Sequence, residues 1–345
     1  MTITKYKVDE VSTAGKYRRL QRLSDDAGRF AMLAIDQRGS LRKMIGAQTG
    51  IPTDQVPDEA LETLKRIVTT AVAPLATAVL TDPLHGYPTS PASIPAAAGL
   101  LLALEVTGYE AAGEAERLST LIEGWSSRRI GQTGADAVKL LLWHRHDASE
   151  ETQRHQDALV EQVGRECEEE GLPFVLEVVT YPLPGQRASS AGYARVKPEI
   201  VIDAARHFSE ERFRVDLLKL EFPGNLKYVD AYQDRPFAAG EVVHTAAEIE
   251  TFCRRLDDAS GVPWVILSAG VDPEEFIENV RLANASGASG FLCGRAVWKH
   301  VVDHYPDEDA MRSFSENTAS DYFRRIREAN HGARPWTQHP HFAAR

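Results

Sequence analysis

Cysteine is scarce in this chain. Three (Cys167, Cys253, Cys293) occur in 345 residues. They cannot close a disulfide framework, and none stands in a paired metal-ligand spacing. A reducing compartment suits such a composition. Long hydrophobic runs are also missing, since none approaches the ~20 residues that span a bilayer. Met1 to Arg22 is polar and lacks the apolar stretch of a secretory signal, so a cytoplasmic location without membrane contact is expected. Positive charge is in deficit: 39 Lys and Arg stand against 50 Asp and Glu, a formal net charge of −11. That balance argues against nucleic acid or a polybasic membrane contact, but not against a small anion held by local charge. No G-x-G-x-x-G follows the first apolar run, which weakens an open doubly wound sheet of the dinucleotide-binding kind. Repeats and low-complexity segments are absent.

What the chain does contain is eight short apolar runs: 30–35, 77–81, 99–104, 137–143, 174–179, 215–220, 264–268 and 290–293. Their near-continuous apolar character suits parallel strands covered on both faces. The third run is the weakest strand signal. Between the runs lie helical patterns over 58–73, 112–133, 150–170, 197–208 and 245–256, and one opening at Asp272-Pro273. Thr245 and Glu248 are spaced for a capping box. The stretch 182–192 reads as a loop and a candidate lid. Strand–helix alternation over the whole chain predicts an α/β fold, a single (β/α)₈ TIM barrel with a C-terminal helical extension. The expected organisation is one domain over 1–345, with an N-terminal segment 1–25 and a C-terminal helix and loose tail over 308–345. That C-terminal part offers a surface on which a homo-oligomer can pack.

Polar residues interrupt the apolar runs in a pattern. Lys139, Glu177 and Lys219 lie inside the fourth, fifth and sixth runs, and Asp36 closes the first. Burying a charge costs several kcal/mol unless it is paired, so these residues are expected to meet on one face of the barrel. A lysine in an apolar strand beside a second cation has its pKa lowered, which leaves an amine able to attack a carbonyl. The imine so formed is an electron sink, and a nearby carboxylate, Glu177 or Asp36, can move the hydroxyl proton when a C–C bond breaks. The ends of the last two strands offer Ser268, Gly270, Gly294 and Arg295, the usual place of a phosphate cradle in barrel enzymes.

These segments resemble the class I (Schiff-base, metal-independent) tagatose-1,6-bisphosphate aldolase family, which also contains the sulfofructosephosphate aldolases. The likeness is carried by LAIDQRGSL (33–41), TDPLHG (81–86), GLLLALEVTGY (99–109), AVKLLL (137–142), FVLEVVTY (174–181), DLLKLEFP (216–223), ILSAGV (266–271) and LCGRAVW (292–298). It implies Lys219 as the Schiff-base lysine and Glu177 as the acid/base carboxylate, with Asp36 and Lys139 in support. It implies substrate contacts at Gln37 and Arg38, and a cradle for the 1-phosphate at Ser268, Arg295 and the backbone near Gly294. No cofactor or metal is implied. The implied reaction cleaves a ketohexose-1-phosphate, with tagatose-1,6-bisphosphate leading, to dihydroxyacetone phosphate and glyceraldehyde-3-phosphate. The alternative substrate is 6-deoxy-6-sulfofructose-1-phosphate of sulfoglycolysis, which gives sulfolactaldehyde. GRFAML (28–33), VPWVILS (262–268) and ASGFL (288–292) lean toward that branch. A catalytically inactive sugar-phosphate-binding regulator is the alternative from another class, and a metal-dependent lyase is a third. His144, Arg145 and His146 read as a solvated loop, with contact to a distal anion as their other use.

Overall fold

The computed structural model describes residues 8–113, 115–182 and 184–343. Residues 1–7 of the expected N-terminal segment and 344–345 of the tail lie outside the described residues. The strands are β1 Phe30–Ala34, β2 Ala78–Thr81, β3 Gly99–Ala103, β4 Ala137–His144, β5 Phe174–Thr180, β6 Leu217–Leu220, β7 Trp264–Leu267 and β8 Gly290–Cys293. All eight pair in parallel and close into a barrel in sequence order. The weak third run is therefore a strand.

Why the runs are apolar throughout follows from the alternation of side chains along a strand. Phe30, Met32, Ala34, Ala78, Leu80, Leu101, Ala103, Ala137, Val175, Leu217, Val265 and Leu292 form one cluster inside the barrel. The intervening residues, such as Leu33, Val79, Leu102, Val138, Leu176, Leu218, Ile266 and Phe291, pack outward against the helices. Lys139, Glu177 and Lys219 each stand two residues after an inner-face residue. Period two therefore points all of them inward.

The α-helices are α1 Val8–Leu23, α2 Gly39–Thr49, α3 Asp58–Val72, α4 Ser127–Gln132, α5 Glu150–Glu169, α6 Ala191–His207, α7 Ala246–Ala259, α8 Pro273–Ala285, α9 Arg295–Trp298, α10 Glu308–Phe314, α11 Ser320–Ala329 and α12 Pro340–Ala343. Thr245 and Glu248 form the expected capping box on α7. None of the described helices is long and apolar enough to cross a membrane. α6 starts earlier than Lys197, at a cap where Ser190 accepts from the Tyr193 N–H. Pro198 then falls inside the helix, where it has no N–H to give the Ala194 carbonyl. His244 Nε2 reaches that carbonyl at 3.1 Å and satisfies it.

Two expectations are corrected. The helix expected over 112–133 is instead a two-stranded ribbon, Glu110–Ala112 against Glu116–Leu118, followed by a bridge at Leu121 and the short α4. Gly113 at φ 44° and Ala115 at φ 60° turn the chain there, a conformation that a helix does not pass through. The tail after Gly332 is not loose. Trp336 is 1% exposed and joins Leu20 and Leu23 of α1 in the inner cluster. Its N–H donates to Gly28 O at 2.9 Å. Together α1 and the tail close the end of the barrel at which the strands begin, and the open end is left to the site.

Candidate active site

The open end of the barrel holds a cavity of 1210 Å³. Asp36, Gln37, Arg38, Glu177, Lys219, Ser268, Gly270, Gly294 and Arg295 all line it. Nine of the ten residues singled out in the sequence are thus brought to one surface. The tenth, Lys139, is fully buried and lies behind the wall.

Glu177 and Lys219 are direct neighbours in the β5–β6 register. Lys219 Nζ lies 2.9 Å from Glu177 Oε2. Lys139 Nζ meets Asp36 Oδ2 at 2.9 Å, Glu105 Oε1 at 2.7 Å and Glu177 Oε2 at 2.8 Å. One buried ammonium therefore holds three carboxylates drawn from β5 and from the residues just after β1 and β3. Burial alone would lower the Lys139 pKa, but Asp36, Glu105 and Glu177 together hold it well above the ordinary lysine value. The expected lowering of a buried lysine does not occur at this position, because its neighbours are anions. Burial likewise opposes ionisation of Asp36 and Glu177, and the two lysines overcome it and hold both carboxyls low.

Glu105 was missed as a site residue in the sequence. It ends the third run two residues after Ala103, so strand alternation was the signal available. Its second oxygen accepts from the Leu141 N–H at 2.9 Å, and its backbone oxygen accepts from Arg38 Nη2 at 2.6 Å. Asp36 Oδ1 and Gln37 Oε1, though buried, accept no hydrogen bond from the described protein. They are acceptors that a hydroxyl donor could satisfy.

The glycines at the ends of β7 and β8 do specific work. A Cβ on Gly294 would stand 2.6 Å from Ala34 O and 3.1 Å from Gln37 Nε2, so only glycine allows this approach to β1. Gly270 is at φ 77° and follows Ala269 at φ 47°. These two successive left-handed residues turn the backbone sharply at the end of β7. The Arg295 guanidinium carbon lies 3.4 Å from where a Gly270 Cβ would be. Ser268, Gly270, Gly294 and Arg295 therefore share one corner. Gly294 is followed at once by α9, of four residues.

The stretch 182–192 contributes Pro182, Arg187, Ala188 and Ser189 to the cavity wall. His144 and Arg145 do not reach it, and they are not solvated either. His144 is buried and stacks on His207, with ring centroids 5.8 Å apart, while Arg145 is buried beside Asp147. Only His146 of the three is exposed. Among the described residues no group of three or more His, Cys, Asp or Glu is arranged to hold a metal ion.

Comparison with known proteins places this geometry in a family. A family model described as DeoC/LacD family aldolase matches residues 30–300. The tagatose 1,6-diphosphate aldolase 2 of Streptococcus agalactiae serotype III (strain NEM316) is 40% identical over 325 residues, covering 93% of this chain and 95% of the relative. The tagatose 1,6-diphosphate aldolase of Lactococcus lactis subsp. lactis is 40% identical over 336 residues, covering 95% of this chain and 99% of the relative. Among solved structures, a fructose-bisphosphate aldolase from Plasmodium falciparum superposes with a TM-score of 0.68 at 13% identity, covering 95% of this chain and 97% of that one. A Schiff base forming fructose-1,6-bisphosphate aldolase superposes with a TM-score of 0.53 at 20% identity, covering 88% and 99%. At such identities the structural likeness establishes the barrel. With the family match spanning most of the barrel and relatives at 40% identity, this chain belongs to the DeoC/LacD family of aldolases.

Proposed function

We propose that the protein, working as one barrel unit, is a class I aldolase that cleaves tagatose-1,6-bisphosphate to dihydroxyacetone phosphate and glyceraldehyde-3-phosphate. The observation that carries this reading is the 2.9 Å approach of Lys219 Nζ to Glu177 Oε2 at the cavity wall. The amine of Lys219 adds to the C2 carbonyl, and loss of water gives an imine. A carboxylate, Glu177 or Asp36, takes the proton of the C4 hydroxyl. The C3–C4 bond then breaks, its electron pair passes to the protonated imine, and the aldehyde leaves. Protonation of the enamine at C3 and hydrolysis release dihydroxyacetone phosphate and regenerate Lys219. The imine serves as the electron sink, so the cycle calls for no metal ion.

In this reading Lys139 is a positioning residue. It touches no ligand; it aligns Asp36, Glu105 and Glu177 and keeps Asp36 and Glu177 ionised. Gln37 and Arg38 contact the sugar, and Ser268, Gly270, Gly294 and Arg295 cradle the 1-phosphate. The cavity is also lined by Lys43, Arg117, Arg187 and Lys227. That supply of cations suits a doubly charged distal phosphate better than a singly charged sulfonate.

The test is parallel cleavage assays with tagatose-1,6-bisphosphate and 6-deoxy-6-sulfofructose-1-phosphate, with and without excess chelator, followed by borohydride trapping and mass mapping. The expected result is faster turnover of the bisphosphate, insensitivity to chelator and an adduct on Lys219. No dihydroxyacetone phosphate from either substrate, or an adduct elsewhere, overturns the reading.

A further inference from the structure

Arg117 lies in the ribbon that replaced the expected helix. Its guanidinium carbon stands 4.5 Å from the centroid of the Tyr109 ring, 4.6 Å from Trp143 and 4.8 Å from Tyr181. Trp143 and Tyr181 themselves meet edge to face, as do Tyr109 and Trp143. The arginine is half-buried within this aromatic cage and lines the cavity together with Tyr109 and Trp143. Among the described residues its guanidinium makes no ion pair with a carboxylate and no hydrogen bond; Arg295 and Lys227 of the same cavity share that state, whereas Arg38, Lys197 and Lys219 each have a carboxylate partner.

The ribbon that carries it is firmly anchored. Glu116 is buried and accepts from the Ser149 N–H and the Ser149 hydroxyl, both at 2.7 Å, at the start of α5. Ser119 Oγ accepts from the Trp143 N–H at 3.1 Å, and Trp143 Nε1 donates to Gly108 O at 2.8 Å. The rings offer the guanidinium π faces but neither a carboxylate nor a carbonyl, which leaves N–H donors for an oxyanion. Position sets the distance from the cradle. Trp143 is near the end of β4 and Tyr181 follows β5, whereas Gly270, Gly294 and Arg295 follow β7 and β8. In a barrel closed in the order β1 to β8, β4 stands opposite β8, and β5 is set apart from β7 by one strand. Lys219, on β6, lies between them.

We infer that Arg117, fixed in its cage of Tyr109, Trp143 and Tyr181, binds the anionic group at the end of the substrate remote from the 1-phosphate and sets the preference for substrates charged at both ends. The inference rests on the aldolase reading above. It makes Arg117 a specificity residue that acts on binding of the distal end and not on imine formation.

The test compares the wild type with Arg117→Ala and Arg117→Lys on tagatose-1,6-bisphosphate and tagatose-1-phosphate, which share the carbonyl, the 1-phosphate and the scissile bond. Arg117→Ala is expected to lower kcat/KM for the bisphosphate roughly 10- to 100-fold, mostly through KM, as loss of a hydrogen-bonded charge contact does. It is expected to leave the monophosphate nearly unchanged. Arg117→Lys should recover part of the loss, since it restores charge but not the planar fork. Calorimetry with hexitol 1,6-bisphosphate and hexitol 1-phosphate, which have no carbonyl, reads the same contact without turnover. The advantage of the bisphosphate in binding should be present in the wild type and shrink in Arg117→Ala. An equal loss on both substrates, an unchanged ratio, or hexitols that bind alike to wild type and variant overturn the role of Arg117. Wild-type protein that cleaves neither sugar while still distinguishing the hexitols through Arg117 overturns the aldolase reading and leaves the anion site standing.

Discussion

Lys139 and Lys219 converge on a single oxygen: Glu177 Oε2 lies 2.8 Å from one ammonium nitrogen and 2.9 Å from the other. The two lysines differ in everything else. Lys139 has two further carboxylates, Asp36 and Glu105, and faces no cavity. Lys219 lines the cavity and has Glu177 as its carboxylate neighbour. One carboxylate thus links the reactive amine to the buried charge network that holds the site in place.

Glu177→Gln keeps the shape and removes the proton acceptor. The variant is expected to retain borohydride-trapped dihydroxyacetone phosphate on Lys219 while cleavage falls roughly 10²- to 10⁴-fold, the range for loss of a general acid or base. Mass mapping together with steady-state rates checks this. Cleavage within a few-fold of wild type would move the acid/base role to Asp36.

Lys139→Met leaves Asp36, Glu105 and Glu177 buried without their shared cation. Removing one partner of a buried network is expected to cost about 3–5 kcal/mol at neutral pH. Asp36 and Glu177 are held low in the folded wild type, so they contribute stability above their unfolded pKa values that is lost as pH falls. In the variant that contribution disappears and the crowded carboxyls titrate upward, so acidification should relieve part of the defect. Urea midpoints at pH 7 and pH 5 measure it. A deficit that stays the same at both values contradicts the electrostatic account.

Glu275, on the first turn of α8, lines the cavity at 2% exposure, and its Oε2 has no hydrogen-bond partner among the described residues. Burial pushes its carboxyl up from 4.5 to about 7, against the pull of Lys227 and Lys197. A raised folded pKa means stability that is full below the unfolded value and is lost as pH rises through the folded one. The wild type is therefore expected to lose up to about 3 kcal/mol from this group between pH 4.5 and pH 8. Glu275→Gln should match the wild type near pH 4.5 and exceed it at pH 8 in denaturant melts. Parallel curves across that window would rule out this role for the carboxyl.

His144 has the opposite sign. Burial, with His207 stacked beside it, lowers its pKa from 6.5 to about 4. Its contribution is present above the unfolded value and is lost as pH falls, about 2 kcal/mol by pH 5. His144→Phe keeps an aromatic ring between His207 and Phe208 and should flatten the acid limb below pH 6.5. A limb that keeps its slope assigns acid sensitivity to other groups.

The sequence by itself determined the barrel and most of the mouth. Eight apolar runs covered on both faces leave little choice but a closed parallel sheet, and period two places Lys139, Glu177 and Lys219 on its inner face. Asp36, Ser268, Gly270, Gly294 and Arg295 follow from their positions at strand ends. Only the tertiary structure decided which lysine meets the cavity and which is buried, because that depends on side chains from β1, β3, β4 and β5 filling one layer together. The pairing of Lys139 with Asp36 spans 103 residues and with Glu105 spans 34, distances over which no local pattern operates. Arg117 was hidden for a related reason. The spacing around it fits a helix, and two left-handed residues, one of them an alanine, turn the chain into a ribbon that Glu116 ties to Ser149 at the start of α5. Local periodicity reports which face is apolar. Barrel closure decides which charges meet across it.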